Sequence, residues 1–134
     1  MSKWEKVDFS KSMRNYPKEP VMSVTKHCYN GGKNTYKVSF NVLATKLLAD
    51  RFTDYEGKIF VDIVSANAGS KLGLVKGTTF ECKYRYKRQM LEIASKKLVE
   101  YLFARYGNNP VFRLVPVEGG VLEFEFIKEA SDNG

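Results

Sequence analysis

The chain of 134 residues is poor in the side chains from which metal sites and disulfide frameworks are built. It contains two cysteines, Cys28 and Cys82, and a single histidine, His27. A structural zinc site takes about four sulfur or imidazole ligands, so these three residues argue against one within a single chain. We interpret both cysteines as buried free thiols of a reducing compartment; a disulfide is the alternative, although nothing in the spacing argues for it. We expect no metal and no cofactor.

Long apolar runs are also missing. The longest apolar segments, such as residues 59–61, span only a few residues, whereas a membrane-spanning helix needs about 20. Residues 1–20 are polar and charged and lack the apolar stretch of a secretory signal. We therefore expect a cytoplasmic protein with no membrane partner.

No catalytic motif is present either. The sequence has no G-x-S-x-G, no P-loop and no G-x-G-x-x-G. His27 and Cys28 are adjacent in a predicted strand, where alternation points them to opposite faces and disfavours a catalytic dyad. Asp50, Asp54 and Glu56 cluster near a predicted helix end. They could bind a cation, although loop solvation is the simpler explanation. We predict a binding protein without catalytic residues rather than an enzyme.

The material for one hydrophobic core is ample. Hydrophobic residues make up 43% of the chain and aromatic residues 13%, and the length is typical of a single domain. We predict an extended basic arm at residues 1–20, one domain at 21–128 and a disordered tail at 129–134.

Turn signals and periodicity predict the elements of this domain. Gly and Asn in residues 30–34 indicate a hairpin between strands 21–29 and 35–40. Asn41 is a suitable N-cap for a helix over 42–52. Alternation over 78–87 indicates a strand, and apolar spacing indicates a helix over 89–105. Two more hairpins are predicted, from residues 58–65 with 71–75 and from residues 111–117 with 121–127.

The order of these elements repeats along the chain. Residues 36–75 and 84–127 both show a strand, a helix and then a two-stranded hairpin, although few residues are identical between them. This order predicts an α+β fold with two βαββ-like halves. We expect these halves to form a mixed sheet or a partly closed barrel, with the two helices covering its ends.

Residues 36–74 resemble the β-helix-ββ element of AbrB/SpoVT-like swapped-hairpin DNA-binding domains. The shared pattern is a short strand, a helix that carries Leu47-Leu48, a glycine at position 57 and a strand hairpin. That family opens its strand with Gly-Arg and its helix with Ile-Pro, whereas here Lys37 is the only basic residue near the arginine position. The resemblance implies DNA binding by a homodimer. A monomer with an internal pseudo-repeat is the alternative.

A vaguer similarity covers nearly the whole chain. Trp4 with Val7, Glu19-Pro20, and Ser39-Phe40-Asn41 with Leu47-Leu48 are similar to features of short prokaryotic and phage proteins. That group has no established activity, so this similarity implies a prokaryotic or phage origin but no function.

The net charge of +7 is unevenly distributed. Residues 1–37 hold eight basic and three acidic side chains, and residues 81–106 hold seven and three. Residues 107–134 are acidic, with two basic and five acidic side chains. This asymmetry favours a polyanionic partner.

The segment Lys83–Arg88 is the strongest indication of such a partner. Alternation in a strand places Lys83, Arg85 and Lys87 about 7 Å apart, a spacing close to that of phosphates along one nucleic-acid strand. The predicted nucleic-acid-binding residues are Lys83, Arg85, Lys87, Arg88, Lys96, Lys97 and Lys37. Alternatively, these cations only keep the strand soluble and prevent edge pairing.

Two functions follow from this pattern. The first is a small, basic, non-enzymatic protein that contacts the phosphate backbone of nucleic acid, either DNA or RNA, single- or double-stranded. The alternative is a protein-binding accessory or inhibitor module, for example of phage type, that targets an acidic protein surface. The basic arm, with Lys3, Lys6, Lys11, Arg14 and Lys18, could wrap nucleic acid or be a solvated tail.

Overall fold

The computed structural model describes residues 3–4, 19–85, 87 and 89–129. They form eight strands and two helices of three turns each. In chain order, the elements are β1 Val21–Cys28, β2 Asn34–Phe40, α1 Val42–Phe52, β3 Ile59–Ala66, β4 Lys71–Lys76, β5 Phe80–Arg85, β6 Met90–Ala94, α2 Lys96–Tyr106, β7 Pro110–Val117 and β8 Val121–Glu129.

The eight strands form one closed antiparallel barrel in the order β1-β2-β6-β5-β3-β4-β8-β7, and β7 pairs with β1 to close it. The predicted α+β class with a mixed sheet is therefore wrong, since strands account for 52% of the structure and helices for 23%. The barrel depends on pairs such as β2–β6 and β4–β8, which join segments far apart in the chain. Local periodicity carries no information about such pairs.

The barrel has an approximate twofold symmetry in its topology. Each half of the chain runs strand, strand, helix, strand, strand, and exchanging β1–β4 with β5–β8 leaves every strand pairing unchanged. The repeating unit is thus ββαββ, one strand longer than the predicted βαββ unit. Residue 84, predicted to open the second half, lies in β5, which corresponds to β1.

Local signals predicted α1 and three hairpins correctly. Antiparallel pairing confirms the hairpins β1–β2, β3–β4 and β7–β8. The Asn41 side chain caps α1 by accepting from the N–H of Ala44 at 2.9 Å. The same side chain accepts from the N–H of Val21 at 3.1 Å and donates to the carbonyl of Glu19 at 2.9 Å. Asn41 therefore joins the start of α1 to the start of β1.

The helix predicted over 89–105 begins too early. Residues 90–94 form β6, and α2 starts only after Ser95, whose hydroxyl accepts from the N–H of Leu98 at 3.2 Å. Leu91 and Ile93 alternate into the barrel interior. The helical spacing of Leu91, Ala94 and Leu98 across this boundary is coincidental.

The core fills the barrel interior and includes both helices. Leu48 of α1 and Leu102 of α2 are fully buried in the same cluster as the inward strand residues, and burying each leucine contributes about 1.5–3 kcal/mol. β2 and β6 are antiparallel neighbours, so α1 and α2, which follow them, cover opposite ends of the barrel. The inward strand residues are Met22, Val24, Val38, Phe40, Ile59, Val61, Leu72, Leu74, Cys82, Leu91, Ile93, Phe112, Leu114, Leu122 and Phe124.

The chain segments outside the barrel are only partly described. Of the predicted arm, residues 3–4 and 19–20 are described, and Trp4 is 93% exposed. Pro20 contacts the barrel, since its carbonyl accepts from the N–H of Leu114 at 3.0 Å. The predicted arm residues Lys6, Lys11, Arg14 and Lys18 lie outside the described residues, as does the tail beyond Glu129. No helix in the described part is long and apolar enough to cross a membrane.

Candidate nucleic-acid interface

Strand β6 brings most of the predicted basic residues together. Lys37 of β2 lies opposite Ala94, and Lys83 of β5 lies opposite Glu92. Lys96 and Lys97 follow at the start of α2. We call this region the β6 surface and define it by Lys37, Lys83, Arg85, Glu92, Lys96 and Lys97.

A buried carboxylate lies at the centre of the β6 surface. Glu92 points outward from the barrel, because its neighbours Leu91 and Ile93 point inward, yet it is only 6% exposed. Arg85 donates to Glu92 from Nε at 2.9 Å, and the Nζ of Lys37 lies 3.8 Å from the same oxygen. Two of the predicted phosphate ligands therefore also bind this carboxylate.

Glu92 falls within the helix predicted over 89–105, so sequence reasoning missed its role. Its partners come from β2 and β5, and only the register of the strands shows that these side chains meet.

The predicted row along one strand is shorter than expected. β5 ends at Arg85, so Lys83 and Arg85 share a face of it, whereas Lys87 lies in the following turn with φ of 58°. Lys87 is exposed but does not continue the row. The predicted residue Arg88 and its neighbour Tyr86 lie outside the described residues.

The first turn of α2 adds positive charge. It contains Lys96 and Lys97 and no acidic residue, and the partial positive charge of a helix N-terminus acts in the same direction. The Nζ of Lys96 lies 5.8 Å from the ring centroid of Tyr36, and the Nζ of Lys26 lies 5.7 Å from it. Lys26 and Tyr36 thus lie close to Lys96, where Tyr36 also packs against the core. Sequence reasoning did not include Lys26 or Tyr36 among the predicted site residues. The predicted hairpin of β1 and β2, whose register pairs these two residues, was the signal that could have found them.

Two concave regions connect along this surface. One, of about 390 Å³, runs from Thr79 and Phe80 past Lys83 and Arg85 to Ser95. The other, of about 580 Å³, lies between α2 and strands β3 and β5 and shares Thr79 and Phe80 with the first. We call the second the α2 cleft; its lining residues are Asp62, Ile63, Val64, Ser65, Leu72, Thr79, Phe80, Lys97, Leu98 and Tyr101.

Asp62 in the α2 cleft is held in place by the chain that leads into β5. Its Oδ1 accepts from the backbone N–H of Thr79 at 2.8 Å and of Thr78 at 3.1 Å. The Thr79 side chain and these two backbone bonds hold the pKa of Asp62 below its usual value. Asp62 is therefore ionised at neutral pH and can only accept hydrogen bonds.

The opposite wall of the barrel is different in charge. There Arg113 is paired with both Glu19 and Glu125, and Lys71 lies 3.8 Å from Glu123. In contrast, Lys83, Lys96 and Lys97 are exposed and form no ion pair with a described carboxylate. The β6 side thus carries cations without a carboxylate partner among the described residues, whereas Arg113 and Lys71 on the opposite wall are paired.

The residues considered for metal binding are not grouped as metal ligands in the described part of the chain. No three His, Cys, Asp or Glu side chains among the described residues are placed to hold a metal ion. In the acidic cluster after α1, Asp54 accepts from the backbone N–H of Glu56 and of Lys58 at 2.8 and 2.9 Å. Asp54 therefore stabilises the loop that follows α1, and this role accounts for its place in the acidic cluster.

Comparison of the chain with protein-family models, curated proteins and solved structures gave no match. The resemblance of residues 36–74 to swapped-hairpin DNA-binding domains therefore stays a prediction.

Proposed function

We propose that the protein is a small, non-enzymatic nucleic-acid-binding protein of the cytoplasm that holds the phosphate backbone on its β6 surface. The observation that carries the proposal is the convergence of cations from β2, β5 and the first turn of α2 around one strand. These cations come from segments as far apart as residues 37 and 97. A site that binds a polyanion requires several cations at one place on the protein surface.

The cations have two roles in this proposal. Lys83, Lys96 and Lys97 contact phosphates, because they are exposed and have no described carboxylate partner. Arg85 and Lys37 bind Glu92, and Arg85 does so through Nε alone among the described hydrogen bonds. Such contacts position a nucleic acid without reading its sequence.

The proposed oligomeric state is a monomer. Both ββαββ halves lie in one chain, and every described strand is paired on both sides, so no strand edge is open to a second copy. A single chain thus contains both halves, whereas the swapped-hairpin resemblance implies a homodimer of two chains.

An acidic protein surface is the second candidate partner. The same exposed cations are compatible with it, because Lys83, Lys96 and Lys97 can pair with carboxylates as well as with phosphates. Salt-sensitive binding to nucleic acids of mixed sequence separates the two candidates.

The experiment compares two triple variants by fluorescence anisotropy with labelled DNA and RNA, single- and double-stranded. The first is K83A/K96A/K97A on the β6 surface. The matched control is K46A/K71A/K128A, which removes the same charge from exposed lysines of α1, β4 and β8, away from β6.

We expect the wild type and the control to bind at low salt, and the first variant to lose at least about tenfold in affinity. An equal loss in both variants would indicate non-specific attraction to a basic protein and contradict the proposed site. An absence of binding by the wild type would leave the acidic protein partner as the better account.

A further inference from the structure

We propose that the α2 cleft binds one unpaired nucleobase, so that the preferred ligand is single-stranded nucleic acid with guanine at this position. This inference rests on the proposed function and deepens it. It depends on the cleft, whereas the proposed function depends on the cations of the β6 surface.

The size and lining of the cleft suit a base rather than a phosphate. Its volume of about 580 Å³ lies within the range of small-molecule sites. Ile63, Leu72 and Phe80 provide apolar walls, while Asp62 and Thr79 provide polar atoms at one side. A planar ring with a hydrogen-bonding edge matches this division of the lining. A phosphate would face apolar walls and an ionised carboxylate.

Tyr101 provides an aromatic wall. It lies one helical turn after Lys97 on the exposed face of α2 and is 45% exposed. The guanidinium carbon of Arg105 lies 5.7 Å from the Tyr101 ring centroid, and Arg105 also donates to the carbonyl of Gly69 in the β3–β4 turn. Arg105 thus ties α2 to the hairpin on the other side of the cleft. Aromatic side chains of this kind stack on unpaired bases.

Asp62 determines which base edge is accepted. The Thr78 and Thr79 N–H groups occupy Oδ1 of its carboxylate and fix it beside β5, so Oδ2 is the oxygen that can accept from a base. Guanine presents two adjacent donors, N1–H and N2–H, on its Watson–Crick edge. Thymine and uracil present one N–H between two carbonyl oxygens, which a carboxylate repels. In a duplex this edge is occupied by pairing, so the base must be unpaired.

The cleft is continuous with the phosphate contacts. It shares Thr79 and Phe80 with the concave region that runs along Lys83 and Arg85, and Lys97 lines the cleft itself. A single strand can therefore lie along the β6 surface while one of its bases enters the cleft.

The test measures binding of four labelled ligands by anisotropy: oligothymidylate, the same oligonucleotide with isolated guanines, its counterpart with inosine for guanine, and the guanine oligonucleotide as a duplex. The variants are Tyr101→Ala, with Tyr101→Phe as the control that keeps the ring, and Asp62→Asn. Asparagine keeps an oxygen for the Thr78 and Thr79 N–H groups but loses the charge. Thermal unfolding of each variant checks that it is folded.

We expect the guanine single strand to bind about tenfold more tightly than oligothymidylate and the duplex, with the inosine strand between them. Tyr101→Ala should weaken single-strand binding about 5- to 100-fold, consistent with the loss of one stacked base, while Tyr101→Phe should have no effect. Asp62→Asn should abolish the preference for guanine.

Equal affinity for duplex and single strands, or an unchanged affinity of folded Tyr101→Ala, would overturn the base site and leave the proposed function intact. No binding of any nucleic acid would overturn both. Because Asp62→Asn or Tyr101→Ala could fail to fold, wild-type protein is also titrated with guanosine, inosine and thymidine monophosphates by NMR. Shifts at Lys97 and Tyr101 that are strongest with the guanosine nucleotide are expected, and equal or absent shifts would contradict the base site.

Discussion

Glu92 controls the electrostatics of the β6 surface at the scale of single residues. It is buried on the outer wall of the barrel and holds Arg85 and Lys37. Because both partners are partly exposed, the ion pairs themselves add little to stability. The hydrogen bond from Arg85 Nε is the stronger contribution. Glu92 thus orders two cations and also lowers the net charge offered to a polyanion.

Glu92→Gln should therefore lower stability and raise affinity for nucleic acid. We expect the free energy of unfolding in urea to fall by about 1–2 kcal/mol, because the charge-assisted bond is lost. Affinity at low salt should rise severalfold, because one negative charge leaves the surface. The matched control is Glu81→Gln, an exposed residue of β5, which should raise affinity without a loss of stability. A decrease in affinity for Glu92→Gln would show that ordering of Arg85 matters more than charge.

The two cysteines should differ sharply in reactivity. The prediction that both thiols are buried is wrong for Cys28, which is exposed at the end of β1. Cys82 lies in the core, where burial raises its pKa to about 12 and the nearby Glu81 adds to the effect. The thiolate is the reactive form. We expect iodoacetamide at pH 8 to add one label to the native protein and two in urea, measured by intact mass. Two labels on the native protein would contradict the burial of Cys82.

At the scale of elements, local rules located α1 and the three hairpins because their signals are local. The Asn41 cap and the Gly-Asn turn at 30–34 act within a few residues of where they stand. The β6–α2 boundary was missed although Ser95, a good N-cap, marked it. Leu91 and Ala94 happened to continue the helical spacing of α2, and only their position in the barrel shows that they belong to a strand.

The two helix caps occupy corresponding places in the two halves, yet they should not be equally important. Asn41 makes hydrogen bonds to Ala44, Val21 and Glu19, whereas Ser95 caps α2 through Leu98. We expect Ser95→Ala to cost about 1 kcal/mol and Asn41→Ala about 2–3 kcal/mol, since more bonds are lost. Urea unfolding of both variants measures the difference. Equal costs would show that the link from Asn41 to β1 adds nothing.

At the scale of the whole molecule, the closure of the barrel determines the fold and brings the residues of the site together. The repeated element order was visible in the sequence, but the β2–β6 and β4–β8 pairs that turn two halves into one barrel were not. Of the predicted site, Lys37, Lys83, Arg85, Lys96 and Lys97 do meet, because β6 lies between β2 and β5 and leads into α2. The α2 cleft could not be predicted, since its walls come from β3, β4, β5 and α2.

The central claim is that a few lysines of the β6 surface bind phosphates, and its most direct test is the salt dependence of binding by the wild-type protein. Affinity for single-stranded nucleic acid of mixed sequence is measured by anisotropy between about 50 and 200 mM salt. Three phosphate contacts, from Lys83, Lys96 and Lys97, predict a slope of log affinity against log salt of about −2. Each replacement of one of these lysines by alanine should make the slope shallower by about 0.7. A slope near zero, or no binding at the lowest salt, would contradict the account.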